Sequence, residues 1–475
     1  MSDCCDTPSN SAFDLAVIGA GSAGFSAAIT AADAGARVAL IGYGTIGGTC
    51  VNVGCVPSKA LIRAAESLHH AAAAKRFDGI EATARITDWQ AVVQQKQALV
   101  DELRQAKYTD VLPRYNSVAY IEGQASFTVT GSLEVDGEPI DAPKIIIATG
   151  SQPNVPAIPG IDQVPYLTST TALELEQLPT SMLVIGAGYI GVEIAQIFAR
   201  AGVEVTLVSR RGVLPEMEPE IGEALTRYLS DEGVRIMTVD AYTGIDTING
   251  GVRLRMQLSH EKLILDAEKV LVATGRNPNT DSLNLSAAGI EILSNNGVKV
   301  DDHMQTSRPG VYAAGDVTGA DQFVYMAAYG AKLAAKNAMN SDSLSYDNAA
   351  MPAVVFTDPQ VASVGLTEDG AKAAGYEVRT STLTLDNVPR ALAARDTRGL
   401  IKLVADGKSN RLLGAHILAP EGADSIQTAA VAIKMGMTYQ QLAEMIFPYL
   451  TTVEGLKLAA QTFDMDVKNL SCCTG

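Results

Sequence analysis

The chain has little tryptophan, histidine or cysteine and a deficit of positive charge. Its 475 residues include one Trp, five His and six Cys, and 36 Lys and Arg stand against 53 Asp and Glu. The resulting formal charge of −17 would repel DNA, RNA and anionic membranes, which disfavours them as partners. Six cysteines in a chain of this length are also too few for the disulfide-dense fold of a small secreted domain.

A secretion signal and an uninterrupted hydrophobic run are lacking as well. Asp3 and Asp6 stand where a signal peptide would carry basic residues. The apolar run at residues 15–32 is interrupted by three glycines, which favours a strand, a turn and a helix over a membrane span. We therefore expect a cytoplasmic protein with reduced cysteines, and its length predicts roughly three domains.

A strand–glycine loop–helix pattern occurs twice. Residues 13–18 and 181–185 each predict a buried strand, and each is followed by a G-x-G-x-x-G loop. Each unit closes with an apolar strand and the triplet Ala-Thr-Gly, at residues 148–150 and 273–275. In such loops the first glycine allows the turn, the second admits a pyrophosphate and the third lets helix and strand pack. The repeat predicts two dinucleotide-binding domains, with the glycines Gly19, Gly21 and Gly24 in the first and Gly186, Gly188 and Gly191 in the second.

The end of the second strand in each unit bears on the choice of dinucleotide. In the later unit this strand runs into Ser209-Arg210-Arg211, with no carboxylate for a ribose 2′-hydroxyl. Two guanidiniums can pair with a 2′-phosphate, which favours NADPH over NADH; two solvated surface arginines are the alternative. In the first unit the strand ends at Gly42, where a ribose-binding Glu is expected. That departure weakens the predicted ribose contact and leaves the phosphate argument intact.

The segment GGTCVNVGCVPSK at residues 47–59 contains Cys50 and Cys55. Their C-x4-C spacing allows both sulfurs to project from one side of a helical turn, within disulfide reach. A structural zinc site would need two more ligands, and no nearby Cys or His supplies them. The segment therefore favours a redox-active pair over two inert core cysteines.

With these motifs the sequence resembles the FAD-dependent pyridine nucleotide-disulfide oxidoreductases over essentially its whole length. The cysteine segment, both glycine loops, both Ala-Thr-Gly closures and the segment at residues 312–316 carry the resemblance. It implies a redox disulfide in which Cys55 lies next to the flavin and Cys50 is the exchanging sulfur. It also implies that Lys59, paired with Glu193, lies near the flavin N5 and that Asp316 binds the ribitol. Further positions that match residues lining FAD in this family are Gly44, Thr49, Ala125 and Val324.

The implied fold class is α/β, with two Rossmann-like domains and a C-terminal α+β dimerisation domain. The predicted FAD-binding domain spans residues 1–152 and 277–346. Residues 153–276 form the predicted NADPH-binding domain, and residues 347–475 the dimer interface. Within that last region the pattern predicts strands at 353–356, 399–404 and 412–418 and helices at 425–435 and 440–446.

The C-terminal region separates the branches of this family. Disulfide reductases such as dihydrolipoamide dehydrogenases, glutathione reductases and thioredoxin reductases carry a His-Pro-Thr…Glu motif, whose His protonates the leaving thiolate. The matching segment here is Pro-Tyr-Leu-Thr-Thr-Val-Glu, with Tyr449 in the His position and Glu454 in the Glu position. An ordinary tyrosine, with a pKa of about 10, is a poor proton donor at neutral pH. Efficient turnover of disulfide substrates is therefore disfavoured.

The chain carries a second cysteine pair, Cys472-Cys473, near its end. Adjacent Cα atoms are about 3.8 Å apart, which is short for a disulfide, whereas two adjacent thiolates suit a soft metal ion. With the segment YLTTVEGLKLAAQTF at residues 449–463, the C-terminal region closely resembles that of mercuric reductases. The resemblance places Tyr189 near the nicotinamide and Tyr449 near the metal site.

This resemblance implies NADPH-dependent reduction of Hg(II), supplied as thiol complexes, to Hg(0) in mercury detoxification. It implies a homodimer in which Cys472 and Cys473 of one subunit reach the partner's active site and pass the metal to its cysteine pair. Many members carry an N-terminal metal-binding domain, whereas residues 1–11 offer only Cys4 and Cys5. We expect these to be exposed tail thiols, with a vestigial mercury-binding pair as the alternative. Two alternatives stay open: a disulfide reductase resembling thioredoxin reductase or dihydrolipoamide dehydrogenase, and a metal-sequestering protein without turnover.

Overall fold

A computed structural model describes residues 12–340 and 344–469. The chain separates into two compact units. The first comprises the residues up to Pro57 together with Gln95–Asn154 and Arg276–Asp347, and the second comprises Ser58–Gln94, Val155–Gly275 and the residues from Asn348 onward. The finer division of the chain into FAD-binding, NADPH-binding and interface domains stays a prediction.

The strands and helices follow one another along both units. The strands are β1 (Leu15–Ile18), β2 (Val38–Gly42), β3 (Val118–Glu122), β4 (Ala125–Phe127), β5 (Leu133–Val135), β6 (Glu138–Pro139), β7 (Ile145–Ile147), β8 (Ser151–Pro153), β9 (Ser181–Ile185), β10 (Glu204–Ser209), β11 (Arg235–Thr238), β12 (Ala241–Ile248), β13 (Gly251–Leu258), β14 (Glu261–Ala267), β15 (Lys269–Val272), β16 (Arg276–Pro278), β17 (Val311–Ala313), β18 (Pro352–Val355), β19 (Gln360–Gly365), β20 (Val378–Thr384), β21 (Leu400–Asp406) and β22 (Leu412–Ala419). The α-helices are α1 (Ser22–Asp33), α2 (Gly48–Asn52), α3 (Cys55–Ala73), α4 (Trp89–Arg104), α5 (Ser169–Ala172), α6 (Tyr189–Arg200), α7 (Pro219–Asp231), α8 (Val324–Asn340), α9 (Glu368–Ala373), α10 (Pro389–Ala394), α11 (Gly422–Lys434), α12 (Tyr439–Glu444) and α13 (Glu454–Gln461).

The first unit is built on a five-stranded parallel sheet in the order β17-β7-β1-β2-β3. Every residue of β1 and β2 is buried, as continuous apolar strands are when both faces of a parallel sheet are covered. Helices α1 and α8 contribute Phe25 and Leu333 to the core that contains Leu40 of the sheet. A second core, which contains Ile41 and Phe127, joins the sheet to strands β4 and β5. This arrangement is the predicted Rossmann-like α/β fold.

The second unit contains a four-stranded parallel sheet in the order β11-β10-β9-β15. An antiparallel sheet of β12, β13 and β14 shares a core with it through Ile185 and Leu254. The C-terminal residues form a five-stranded antiparallel sheet in the order β18-β19-β22-β21-β20, and α11, α12 and α13 supply Ile426, Leu442 and Leu456 to its core. The predicted combination of α/β and α+β architecture is confirmed.

The C-terminal elements differ from the expected bounds by a few residues. The helix expected from residue 425 begins at Gly422. Glu421 takes a left-handed conformation (φ +62) that ends the short loop after β22, so the helix can begin at the next residue. The helix expected to reach residue 446 ends at Glu444, since Met445 is already extended. Both differences reflect backbone turns that hydrophobic periodicity does not report.

Buried ion pairs connect the parallel and antiparallel parts of the second unit. The Lys402 side chain, only 2% exposed, lies with its Nζ 2.8 Å from a Glu218 oxygen, 2.8 Å from one of Glu220 and 2.9 Å from one of Glu368. Burial alone would lower the pKa of Lys402, but its hydrogen bonds to the three carboxylates outweigh burial and raise it. The three carboxylates are spaced as metal ligands could be, yet the Lys402 ammonium already forms an ion pair with each of them. This cluster is therefore structural.

Among the described residues, none of the helices combines the length and hydrophobicity that crossing a bilayer requires.

Candidate redox site and dinucleotide loops

The first glycine loop follows β1 and begins α1. Gly19 has a φ of +116, and a Cβ at this position would overlap the Ala148 carbonyl oxygen. A Cβ at Gly24 would overlap the Gly19 carbonyl oxygen, and one at Gly21 would lie 3.4 Å from the Cα of Gly48. At these three positions no side chain covers the backbone where it turns into α1. The helix N-terminus can therefore offer its N–H groups and the positive end of its dipole to a phosphate. The loop fits the pyrophosphate of FAD.

The second glycine loop repeats this geometry in the second unit. Gly186 has a φ of +110, and a Cβ there would overlap the Ala273 carbonyl oxygen. A Cβ at Gly191 would overlap the Gly186 carbonyl oxygen, whereas the position of Gly188 faces open space. Each loop thus abuts the Ala of its own Ala-Thr-Gly triplet. The loop and the N-terminus of α6 fit the pyrophosphate of NADPH.

The two arginines predicted to select NADPH lie immediately after β10. Both side chains are exposed, and Arg211 Nη1 lies 2.7 Å from the Glu216 carboxylate, with both of these side chains about 70% exposed. An exposed pair of this kind contributes little to stability, so a 2′-phosphate can displace Glu216 at low cost. Ser209, by contrast, is buried and closes the turn, since its Oγ hydrogen-bonds the Gly212 N–H and carbonyl oxygen.

Cys50 and Cys55 lie in two different helices rather than in one continuous turn. Cys50 belongs to α2, and Cys55 is the first residue of the 19-residue helix α3. The break falls at Val53 (φ −139), and at Gly54 a Cβ would lie 2.9 Å from the Thr49 carbonyl oxygen and 3.3 Å from the Cα of Cys50. Gly54 therefore lets the chain fold back onto the end of α2. Cys50 is half-buried and Cys55 is exposed, and the N-terminal end of α3 favours negative charge on Cys55.

Asn52 and Arg104, which the sequence analysis did not single out, hold this segment in place. The Asn52 amide donates hydrogen bonds of 2.9 Å to the Ile46 and Gly48 carbonyl oxygens. The Arg104 guanidinium donates to the Asn52 side-chain oxygen at 3.1 Å. The segment is also tied to the first glycine loop, because the Gly47 N–H donates to the Ala20 carbonyl oxygen at 2.9 Å. The segment that carries the cysteines is thus anchored to the first glycine loop by a backbone hydrogen bond and held in shape by the Asn52 and Arg104 side chains.

Lys59 and Glu193 form an ion pair with 2.8 Å between Nζ and a carboxylate oxygen. Lys59 lies four residues after Cys55 in α3, and the Glu193 carboxylate on α6 is almost fully buried. The other Glu193 oxygen accepts a 2.8 Å hydrogen bond from the Phe356 N–H, and Lys59 Nζ lies 4.8 Å from the centre of the Phe356 ring. Glu193 therefore fixes both the lysine ammonium and the backbone at the end of β18.

Asp316, expected at the flavin ribitol, follows β17 and begins a short 3-10 helix. Its carboxylate accepts a 2.6 Å hydrogen bond from Ser151 Oγ. The Arg276 guanidinium donates to both the Oγ and the carbonyl oxygen of Ser151, at 2.7 and 2.6 Å, and lies 3.8 Å from Asp316. Arg276 and Ser151 thus set the orientation of Asp316. An arginine directly after the second Ala-Thr-Gly was the available sequence signal for this pair.

The remaining predicted FAD positions all belong to the first unit. Gly44 forms an exposed turn with a φ of +77, and Thr49 lies in α2. Ala125 is the buried first residue of β4, and Val324 is the first residue of α8. Their roles in binding FAD stay predictions.

The two candidate tyrosines occupy different environments in the second unit. Tyr189 begins α6, and burial together with the Glu216 carboxylate raises its pKa to about 12, so it is neutral at physiological pH. Tyr449 is 56% exposed, on the loop before α13. The buried Glu454 carboxylate accepts the Leu450 N–H at 3.1 Å, and Leu450 is left-handed (φ +64). Glu454 therefore holds the loop that presents Tyr449. The metal-ligand predictions Cys472 and Cys473, like Cys4 and Cys5, lie outside the described residues.

Comparisons with family models, with solved structures and with curated relatives all give the same family. The family model "Pyridine nucleotide-disulphide oxidoreductase" matches residues 13–336, and the model of the dimerisation domain of that family matches residues 351–460. Among solved structures, the HOCl-induced flavoprotein disulfide reductase RclA from Escherichia coli is 33% identical with a TM-score of 0.82, covering 94% of this chain and 99% of that one. Its Cu(II) complex gives 32% identity and a TM-score of 0.84, covering 95% of this chain and 99% of that one.

Several curated relatives are mercuric reductases. The chain is 48% identical over 474 residues to the enzyme of Shigella flexneri, which covers 99% of this chain and 84% of the relative. It is 46% identical over 468 residues to that of Streptomyces lividans, covering 98% of both, and 46% identical over 464 residues to that of Bacillus cereus, covering 98% of this chain and 73% of the relative. The chain belongs to the pyridine nucleotide-disulphide oxidoreductases and, within them, to the mercuric reductase family.

Proposed function

We propose that this chain is an NADPH-dependent flavoenzyme that reduces Hg(II) to Hg(0). The observation that carries the proposal is the combination of two pyrophosphate-binding loops with a cysteine pair anchored to the first of them. The reaction balances as NADPH and Hg(II) giving NADP⁺, H⁺ and Hg(0), with two electrons passing from the nicotinamide to the metal. When bound, NADPH would supply those electrons and FAD would relay them.

The chain's own residues bind and orient the reactants. The two glycine loops hold the pyrophosphates, and Asp316, oriented by Ser151 and Arg276, offers a carboxylate to the ribitol. Cys50 and Cys55 supply two thiolates, which are the ligands that a soft metal ion prefers. The Lys59 ammonium, held by Glu193, provides positive charge on the helix that begins at Cys55.

The replacement of the expected His by Tyr449 supports a metal ion over a disulfide as the substrate. Reduction of a disulfide releases a thiolate that needs a proton, and a tyrosine is a poor donor at neutral pH. Reduction of Hg(II) to the element needs no proton at the metal. Tyr449 can instead contact the metal site through its hydroxyl.

We also propose that the active molecule is a homodimer in the cytoplasm. The dimerisation family model at residues 351–460 supports self-association. Cys472 and Cys473 of one subunit would take Hg(II) from small thiols and pass it to Cys50 and Cys55 of the other. The acidic composition and the use of cysteines as thiolates suit a reducing compartment.

An anaerobic assay of Hg(0) release tests the proposed activity. With NADPH and Hg(II) in thiol complexes, we expect one Hg(0) volatilised for each NADPH oxidised, and little NADPH oxidation with glutathione disulfide, lipoamide or oxidised thioredoxin. Rapid turnover of any of these disulfides without Hg(0) would make the chain a disulfide reductase. Tight Hg(II) binding with no NADPH oxidation would make it a sequestering protein.

Selection of NADPH is expected to depend on Arg210 and Arg211. Because charge-assisted contacts to a phosphate contribute about 1.5–3 kcal/mol each, Arg210→Ala/Arg211→Ala should raise KM at least about tenfold for NADPH and leave KM for NADH nearly unchanged. Arg227→Ala is the matched control, since Arg227 is an exposed arginine of α7. Steady-state kinetics with both nucleotides measure the effect, and equal changes for the two would refute a role in phosphate binding.

A further inference from the structure

The end of β2 lacks the residue that usually binds the adenosine ribose of a dinucleotide. In Rossmann folds an Asp or Glu about 20 residues after the glycine loop hydrogen-bonds a ribose hydroxyl. The last residue of β2 in this chain is Gly42, which has no side chain to offer. The contact must be lost or made by another element.

The side chain of Tyr120 occupies the position that such an acid would take. A Cβ built on Gly42 would overlap the Tyr120 hydroxyl, lie 2.7 Å from Tyr120 Cε2 and lie 2.9 Å from the Cβ of Ala20. Strands β2 and β3 pair in parallel, with Leu40 opposite Tyr120. The phenol therefore reaches along β3 to the carboxyl end of β2, beside the second residue of the glycine loop. A glycine at position 42 is what leaves room for it.

The Tyr120 hydroxyl is suited to bind a sugar hydroxyl. Its ring is half-buried against the core of α1 and α8. Across residues 12–340 and 344–469 no group forms a hydrogen bond with this hydroxyl. Burial, with a contribution from the Glu122 carboxylate, raises the pKa of Tyr120, so the phenol stays protonated and can both donate and accept a hydrogen bond.

We propose that Tyr120 replaces the missing carboxylate and hydrogen-bonds the adenosine ribose of FAD. The proposal rests on the binding of FAD by the first unit and adds a residue that the sequence did not single out. Two neighbours are the rivals: Glu122, exposed at the end of β3, and Tyr43, which follows Gly42 and is 79% exposed. Tyr120, and not Glu122, supplies the two atoms nearest to the position of a Cβ on Gly42.

The first test measures FAD binding to the apoprotein. Loss of one hydrogen bond predicts that Tyr120→Phe raises the Kd for FAD about three- to tenfold. The Kd for FMN, which has no adenosine, should not change. Tyr115→Phe is the matched control, because it removes a phenol hydroxyl from the same unit just before β3. Titration by quenching of flavin fluorescence gives both constants without relying on turnover.

The second test restores the usual acid. Gly42→Glu alone should weaken FAD binding, because the new side chain and the Tyr120 phenol compete for one volume. Gly42→Glu/Tyr120→Ala removes that conflict and leaves only the 2.9 Å approach to the Ala20 Cβ, so it should bind FAD clearly more tightly than Gly42→Glu alone. Circular dichroism and the thermal midpoint of each apoprotein separate loss of binding from loss of folding.

Each outcome bears on the proposal. An unchanged Kd in Tyr120→Phe, an equal loss of FMN and FAD binding, or a loss confined to Glu122→Gln or Tyr43→Phe would overturn it. A rescue in the double variant together with the selective loss in Tyr120→Phe would support it. Failure of the unaltered chain to bind FAD at all would count against the proposed function instead.

Discussion

Cys50→Ala and Cys55→Ala are each expected to abolish NADPH-driven release of Hg(0) while FAD stays bound. One remaining thiolate cannot complete a two-sulfur metal site, and neither variant can form the redox disulfide. The expected loss in kcat/KM is on the order of a thousandfold or more, the scale on which removal of an essential nucleophile acts. The glycine loop is shaped by backbone contacts and Asp316 accepts its 2.6 Å hydrogen bond from Ser151, so the flavin should be retained.

The measurement combines flavin absorbance with volatilised Hg(0) under anaerobic conditions. Cys4→Ala/Cys5→Ala is the matched control, because it removes two thiols that have no assigned role, and it should keep full activity. Reduction of Hg(II) by Cys50→Ala at the native rate would refute the assignment of an inner two-thiolate site. Loss of FAD from either variant would instead indicate a structural role for the sulfur.

The glycine-loop pattern could be predicted because its constraints are local. A strand, three spaced glycines and a helix follow one another within each loop, and each loop meets its Ala-Thr-Gly strand in the same sheet. Gly19 and Gly186 accordingly have nearly the same φ and abut equivalent alanines, Ala148 and Ala273. The repeat in the sequence therefore corresponds to a repeat in the backbone.

Contacts between distant residues could not be predicted from spacing. The side chain above Gly42 comes from Tyr120, on a strand that follows a long helical segment, and only the register of β2 and β3 brings it there. Likewise, Arg276 and Ser151 meet because β16 pairs with β8. The sequence indicates that Gly42 departs from the family pattern, but the residue that compensates depends on tertiary structure.

The sequence pattern also could not predict the local conformation of the cysteine segment. The C-x4-C spacing suits one helical turn, yet helix α2 ends just before Val53 and a new helix, α3, begins at Cys55. The close approach of Gly54 to the Thr49 carbonyl oxygen is what allows the chain to turn between these two helices. A helix N-terminus at Cys55 differs chemically from a mid-helix position, because it places the positive end of the helix dipole beside the sulfur. The structure therefore gives the two cysteines different electrostatic environments.

Cys472 and Cys473 are expected to affect turnover most when Hg(II) arrives tightly bound to small thiols. Small thiols hold Hg(II) as a dithiolate, which must be removed before the ion can reach Cys50 and Cys55. Two adjacent sulfurs make exchange of the second ligand intramolecular and raise its effective concentration. Cys472→Ala/Cys473→Ala should therefore keep its flavin spectrum and lose about a hundredfold in turnover of thiol-complexed Hg(II). Much activity should remain with Hg(II) bromide, a small complex that can enter unaided.

Comparing turnover of the two mercury complexes measures this effect. Equal loss on both complexes would make the tail part of the reducing site itself. No loss on either would mean that the two cysteines have no part in delivery. The single variants Cys472→Ala and Cys473→Ala, which keep one thiolate, should fall between the double variant and the unaltered chain on the thiol complex.

Mixed dimers test whether the tail acts on the partner subunit. One subunit carries Cys50→Ala/Cys55→Ala and the other carries Cys472→Ala/Cys473→Ala, so neither alone has both pairs. If the tail of one subunit serves the cysteine pair of the other, the mixed dimer has one complete site and should turn over thiol-complexed Hg(II) at about half the native rate. If each tail serves its own subunit, the mixed dimer has no complete site, and its rate should fall to about half that of the tail variant, which keeps two intact inner cysteine pairs. The second result would refute delivery between subunits and leave delivery within one subunit.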